Sequence, residues 1–129
     1  MLPKPNRTYA ALVVEDEPLI AIMFEDMLNQ IGFGSVSIAY TQMEGLDLAS
    51  TRHFDFALLD FDLGSDNSLP VADRLKASRV PFAICTGYGP AETELFGPDV
   101  PLLPKLFEMQ QLAGVIEKAL LPPPFGTQN

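Results

Sequence analysis

Between Arg7 and Arg52 the chain has no lysine or arginine. Basic residues number 8 against 17 acidic ones, for a formal net charge of −9. Contacts to a phosphate backbone need clustered Lys and Arg, so direct nucleic-acid binding is not expected. A divalent cation or a basic protein patch matches this charge better. The single cysteine, Cys85, cannot close an internal disulfide, which suits a reducing, cytoplasmic setting. No apolar run approaches the roughly 18 residues needed to cross a bilayer, so no membrane role is expected. The N-terminal MLPKPNRTY carries basic residues, but the apolar stretch behind it meets Glu15, Asp16 and Glu17 too early for a signal peptide. The only histidine, His53, lacks metal-ligand companions and reads as a loop residue. Gly87-Tyr88-Gly89 is too short for a dinucleotide loop.

What is present is enough apolar matter for one core. The chain has 129 residues, 47% apolar and 19% charged, which predicts a single folded domain. That domain is expected over residues 10–121, with residues 1–9 and 122–129 as tails. Apolar runs of strand length alternate with segments of helical period, in five pairs. Ala10 to Val14 has no in/out alternation and reads as a strand buried on both faces. Pro18 suits a helix's first turn, and Ile20, Met23, Met27 and Ile31 follow at helical spacing before Gly32. Val36 to Tyr40 reads as the second strand, and Thr41-Gln42-Met43-Glu44 has capping-box spacing for a helix to about Ser50. The third strand is expected over Phe54 to Leu59, then a polar loop from Gly64 to Ser68 and a helix from Pro70 to about Ala77. Val80 to Cys85 reads as the fourth strand, with Cys85 as a small core residue. Gly87 to Asp99 leaves room for one or two helical turns, so the fourth helix is short. Val100 to Leu103 reads as the fifth strand. Phe107 to Leu120 reads as the last helix, with Leu112, Val115, Ile116 and Ala119 on one face. Met23, Met27 and Met43 all fall at core spacing. Five βα units in so short a chain imply a parallel sheet with helices on both faces, an α/β fold.

In such sheets the functional site lies outside the carboxyl ends of the strands. The first strand ends in Glu15-Asp16-Glu17, the third in Asp60 with Asp62 just beyond, the fourth in Thr86-Gly87 and the fifth in Lys105. Taken singly, each has a plain explanation: charge at a helix N-terminus, a turn residue, a solvated cation. Together at one edge they have a chemical one. Carboxylates this close repel unless a cation is present, and oxygen-only ligands suit Mg²⁺. Asp60 can then act as a nucleophile toward phosphorus, while a hydroxyl and an ammonium hold the other phosphoryl oxygens.

From Ala11 to about Leu120 the sequence resembles a response-regulator receiver domain of two-component signalling. LVVEDEP is similar to that family's acidic-pair segment, FALLDFDLG to its phosphoacceptor strand, ICTGYG to its switch-hydroxyl strand and LLPKLF to its lysine strand. The segment after Thr86 resembles the stand-alone receivers that carry a T-G-Y motif. The resemblance implies a flavodoxin-like, doubly wound five-stranded sheet of order 2-1-3-4-5. It also implies that Asp60 accepts a phosphoryl group from a phosphohistidine on a histidine kinase or histidine phosphotransfer protein. Asp16 would bind Mg²⁺ directly, Glu15 through water, and Asp62 through its backbone carbonyl, with Asp60 itself a ligand. Thr86 would be the switch hydroxyl and Lys105 the ion-pair partner, while Glu17 has no clear role. Such a domain is not a turnover enzyme. With nine residues after Leu120, output is expected through a downstream protein target.

Two positions depart from the pattern. Leu102 stands where receivers commonly carry an aromatic rotamer switch, and Leu106 where the family lysine is followed by proline. A cis bond to leucine costs roughly 2.5–4 kcal/mol, so a trans Lys105-Leu106 peptide is expected, with the response to phosphate centred on Thr86 and the loop after it. Two other readings use the same residues. Asp60-Phe61-Asp62 also resembles the D-x-D motif of haloacid-dehalogenase-type phosphatases, with Asp62 as general acid/base. A degenerate receiver serving only as a protein-binding module is the other.

Overall fold

A computed structural model of the chain describes residues 2–4, 6–87 and 94–120. In chain order the elements are β1 (Tyr9–Val14), α1 (Pro18–Ile31), β2 (Phe33–Ala39), α2 (Gln42–Thr51), β3 (Phe56–Asp60), β4 (Asp62–Leu63), β5 (Asp66–Asn67), α3 (Leu69–Ala77), β6 (Phe82–Thr86), a 3-10 helix (Glu94–Phe96), β7 (Leu102–Pro104) and α4 (Met109–Leu120). Five strands form one parallel sheet of order β2-β1-β3-β6-β7. With the small β4-β5 hairpin set aside, this is the expected 2-1-3-4-5 order. Strand order reverses between β1 and β3, which places a crevice at their carboxyl ends.

The lack of alternation in the strands has a direct cause. Ala11 and Val13 of β1 join one buried cluster with Phe24, Leu28, Phe56, Leu58, Phe107, Leu112 and Ile116. Leu12 and Val14 join the opposite cluster with Leu59, Val71, Leu75, Ile84 and Phe96. Helices α1 and α4 thus cover one face and α2 and α3 the other, so every residue of β3 and β6 is buried. Cys85 is fully buried, as expected of a small core residue.

Several local expectations are corrected. In α1 the residues buried are Ala21, Phe24, Leu28 and Ile31. Of the expected stripe only Ile31 is buried; Ile20 and Met27 are half-buried and Met23 is exposed. Met43, at 79% exposure, is on the surface rather than in the core. The helix is apolar on most sides, so spacing alone does not select the face that meets the sheet. Ala119 of α4 is likewise exposed, while Leu112 and Ile116 are buried. Gly64 to Ser68, expected as a loop, includes β5 of the β4-β5 hairpin, whose turn uses Gly64 at φ 87°. Elsewhere strand bounds differ by one to three residues, most at the start of β2, which begins at Phe33 rather than Val36. The short fourth helix is represented by the 3-10 turn Glu94–Phe96; Tyr88 and Gly89 of the T-G-Y segment lie outside the described residues.

The capping box at α2 forms in modified form. Thr41 Oγ1 accepts from Glu44 N–H at 3.0 Å, and the Glu44 carboxylate reaches back to Tyr40 N–H at 2.8 Å, one residue before the cap. Farther along α2, Gly45 is set by packing: a Cβ there would lie 3.0 Å from Val14 Cγ2 and 3.2 Å from Val71 Cγ2. A larger side chain has no space against two stiff, buried β-branched residues. Gly45→Leu should lower the unfolding free energy by about 2 kcal/mol or more despite leucine's better helix propensity, read as a shift in urea midpoint.

Candidate functional site

At the carboxyl edge of the sheet, Glu15 follows β1, Asp60 ends β3 and Lys105 follows β7. Glu15 N–H donates to Ala39 of β2, and Lys105 N–H donates to the carbonyl of Thr86, so each is fixed by a continuation of the parallel ladder. Lys105 Nζ donates to Asp60 Oδ2 at 2.9 Å and stands 3.6 Å from Glu15 Oε1. Both carboxylates are buried, at 0% and 1% exposure. Glu15 Oε2 accepts from Glu17 N–H at 3.1 Å, but Oε1 is buried without a hydrogen-bond partner.

Two carboxylates therefore share one ammonium, and the titration behaviour follows. Burial, reinforced by the charge of Asp60, pushes the Glu15 carboxyl up to about 7. Burial likewise raises Asp60, against the pull of the Lys105 hydrogen bond. For Lys105 burial works against the charged form, yet the Asp60 hydrogen bond and the charges of Asp60 and Glu15 outweigh it and hold its pKa above the usual value. Burial also pushes the neighbouring Cys85 thiol up to about 12, so it stays protonated and inert.

Asp16 completes the cluster from the exposed side. One oxygen from each of Glu15, Asp16 and Asp60 lies within 4.8 Å of the others. These residues line an open cleft of about 400 Å³ together with Glu17, Ile20, Asp62, Gly64, Gly87 and Lys105. Three clustered carboxylates, one of them with a buried oxygen that lacks a hydrogen-bond partner, form an all-oxygen donor set that fits a hard divalent cation. Asp62 sits on the cleft wall with Oδ1 accepting from Gly64 N–H at 3.1 Å. Thr86 ends β6, one residue beyond Cys85, the register partner of Asp60; it is buried beside the cleft rather than lining it.

Sequence reasoning left Glu17 without a role, yet it lines the cleft and steadies Glu15. Ile20, one of the residues at helical spacing in α1, also lines the cleft, as does Gly64, whose backbone passes close enough to Asp16 that a Cβ would lie 3.8 Å from its Oδ2. The φ of 87° was the missing signal, and a lone glycine in a polar stretch does not reveal it.

Among the described residues no peptide bond is cis, so Lys105-Leu106 is trans as expected. Leu106 adopts φ 64°, a left-handed conformation unusual for leucine, and is 69% exposed. Lys105 still reaches Asp60, as its flexible stem allows.

Comparison with known proteins gives a consistent picture. The profile of the response regulator receiver domain matches residues 11–116. The phyllosphere-induced regulator PhyR of Methylorubrum extorquens is 34% identical over 115 residues, covering 84% of this chain and 42% of PhyR, so the chain spans less than half of that relative. A CheY-like receiver domain from Methanospirillum hungatei superposes with a TM-score of 0.77 at 25% identity, over 88% of this chain and 94% of its own. The receiver domain of the sensor histidine kinase PA1611 from Pseudomonas aeruginosa, solved with magnesium coordinated in its active-site cleft, shares the fold with a TM-score of 0.75 at 20% identity, over 88% and 98%.

Two outcomes test this geometry. Proline is locked near φ −65°, so Leu106→Pro should destabilise the fold by about 1–3 kcal/mol, whereas Leu106→Gly should be neutral or stabilising; equal urea midpoints for the two variants would contradict the left-handed loop. In metal-free buffer the folded chain retains between about pH 4.5 and 7 a Glu15 proton that the unfolded chain has released. Stability should therefore fall as pH rises through that window, and Glu15→Gln should reduce the decline, measured by denaturation across a pH series.

Proposed function

The chain belongs to the response regulator receiver domain family, and we propose that it accepts a phosphoryl group on Asp60 from a phosphohistidine of a histidine kinase or histidine phosphotransfer protein. The observation that carries this reading is the Lys105–Asp60 pair buried beside Glu15 and Asp16 in one cleft. Asp60, at the end of β3, lines an open cleft with its Oδ2 held by the Lys105 ammonium, which supports a role in attack on phosphorus.

In the proposed step an Asp60 carboxylate oxygen forms a bond to phosphorus as the phosphorus–nitrogen bond of phosphohistidine breaks. The leaving imidazole keeps the electron pair and takes up a proton. The Lys105 ammonium, which pairs with the free carboxylate, then pairs with a phosphoryl oxygen, and the Thr86 hydroxyl turns toward another. Mg²⁺, held by Asp16, Asp60 and the Asp62 carbonyl with Glu15 acting through water, would supply the positive charge that offsets repulsion between phosphoryl oxygens and carboxylates. The magnesium in the PA1611 receiver supports that choice of ion.

Receivers act in signalling rather than in turnover, and output here is proposed to pass through contacts with a downstream protein in the cytoplasm. No helix among the described residues is long and apolar enough to cross a membrane. The phosphatase reading requires the Asp62 side chain as acid/base, but here its Oδ1 accepts from Gly64 N–H within the hairpin turn.

Acetyl phosphate with Mg²⁺ should label the wild-type chain, and Asp60→Asn should abolish the label; undiminished labelling would overturn the assignment. Asp16→Asn should weaken Mg²⁺ binding, seen by titration. Asp62→Asn should leave labelling of Asp60 within about threefold of wild type, since only its backbone is required. Multiple-turnover hydrolysis of phosphomonoesters that disappears in Asp62→Asn would favour the phosphatase instead.

A further inference from the structure

Phe61 lies between two cleft residues, Asp60 and Asp62. The Phe61 ring packs against the buried cluster that holds Leu59, Val71, Ile84 and Phe96. There it meets Phe96 of the 3-10 helix edge to face, with ring centroids 5.5 Å apart and planes at 80°. Such an aromatic pair contributes about 0.5–1.5 kcal/mol beyond its buried area. The two rings are not equivalent: Phe96 is fully buried, whereas Phe61 is half-buried.

The backbone of Phe61 is also placed to register events at Asp60. Its N–H donates to the Cys85 carbonyl at 2.9 Å, and its carbonyl accepts from Ser68 N–H at 3.1 Å. A ligand gripping the residues on either side of Phe61 sets the angle at which the ring leaves the chain. On the far side, the three-residue 3-10 helix is held by contacts that include two at Phe96. One is the Phe61–Phe96 contact, and another is Lys76 Nζ, which donates to the Phe96 carbonyl. That helix presents Leu95 to solvent at 60% exposure.

We propose that Phe61 is a positioning residue that couples occupancy of the acidic cleft to the placement of the 3-10 helix Glu94–Phe96, through its edge-to-face contact with Phe96. The exposed Leu95 is thereby shifted when the cleft fills. This rests on the phosphoacceptor reading, because the ligand that fills the cleft is a phosphoryl group with its cation.

The test uses the full chain with Mg²⁺ and beryllofluoride, followed by amide exchange in NMR. Binding is read at the Asp60 and Lys105 signals. Coupling is read at the Gly97 amide, which donates to the Glu94 carbonyl at 3.2 Å and so reports closure of the 3-10 turn. Beryllofluoride should change Gly97 exchange by about fivefold or more in wild type, and by less than about twofold in Phe61→Leu and in Phe96→Leu. A purely structural role for the rings would alter basal exchange but leave the ligand-induced ratio intact. Should Phe61→Leu lose cooperative unfolding, Phe61→Met, which keeps a long apolar side chain, gives the same reading. Binding at Asp60 with no change at Gly97 in wild type, or with an undiminished change in the variants, overturns the coupling alone. No perturbation at Asp60 and Lys105 overturns the phosphoacceptor reading and the coupling with it.

Discussion

Two buried carboxylates and one ammonium set the terms for the rest of this molecule. Glu15 and Asp60 are withdrawn from water almost completely, and Lys105 can neutralise only one of them. A buried charge that is not paired is costly, and the raised pKa of Glu15 expresses that cost. The carboxylates sit at strand ends whose backbone the sheet holds in place. A divalent cation with a phosphoryl group would bring the charges closer to balance. The fold's electrostatic weakness and its proposed chemistry are therefore the same feature.

The parallel sheet makes that feature possible. Both faces are covered, so β3 and β6 are wholly apolar until their last residue, and polarity is confined to the carboxyl edge. Side chains far apart in sequence converge there because parallel strands all end on one side. Glu15, Asp60 and Lys105 span ninety residues of chain and meet within 3.6 Å of one Nζ. The small hairpin after β3 adds a wall, bringing Gly64 and Asp62 over the exposed Asp16.

Leu106 and Leu102 show how this chain departs from its family pattern without losing the site. With a trans peptide and a left-handed Leu106, Lys105 Nζ still meets Asp60. Leu102, on the edge strand β7, is 45% exposed. Beside Asp60, Phe61 makes an edge-to-face contact with Phe96.

The amino-acid sequence alone determined the element order, the five-stranded parallel sheet and the set of polar residues at its edge. These are legible because they depend on local runs: four apolar residues followed by an aspartate mark a buried strand and its end wherever the strand is placed. The trans bond after Lys105 was legible for the same reason, since the cost of a cis bond to leucine is local. Tertiary structure decided what depends on direction of approach. Helix α1 is apolar from Leu19 to Phe24, and only the position of the sheet buries Ala21 and Phe24 while leaving Met23 exposed. The complete burial of Glu15, the left-handed turn at Gly64 and the meeting of Phe61 with Phe96 likewise follow from which segments close over which. Spacing along a chain carries no record of that.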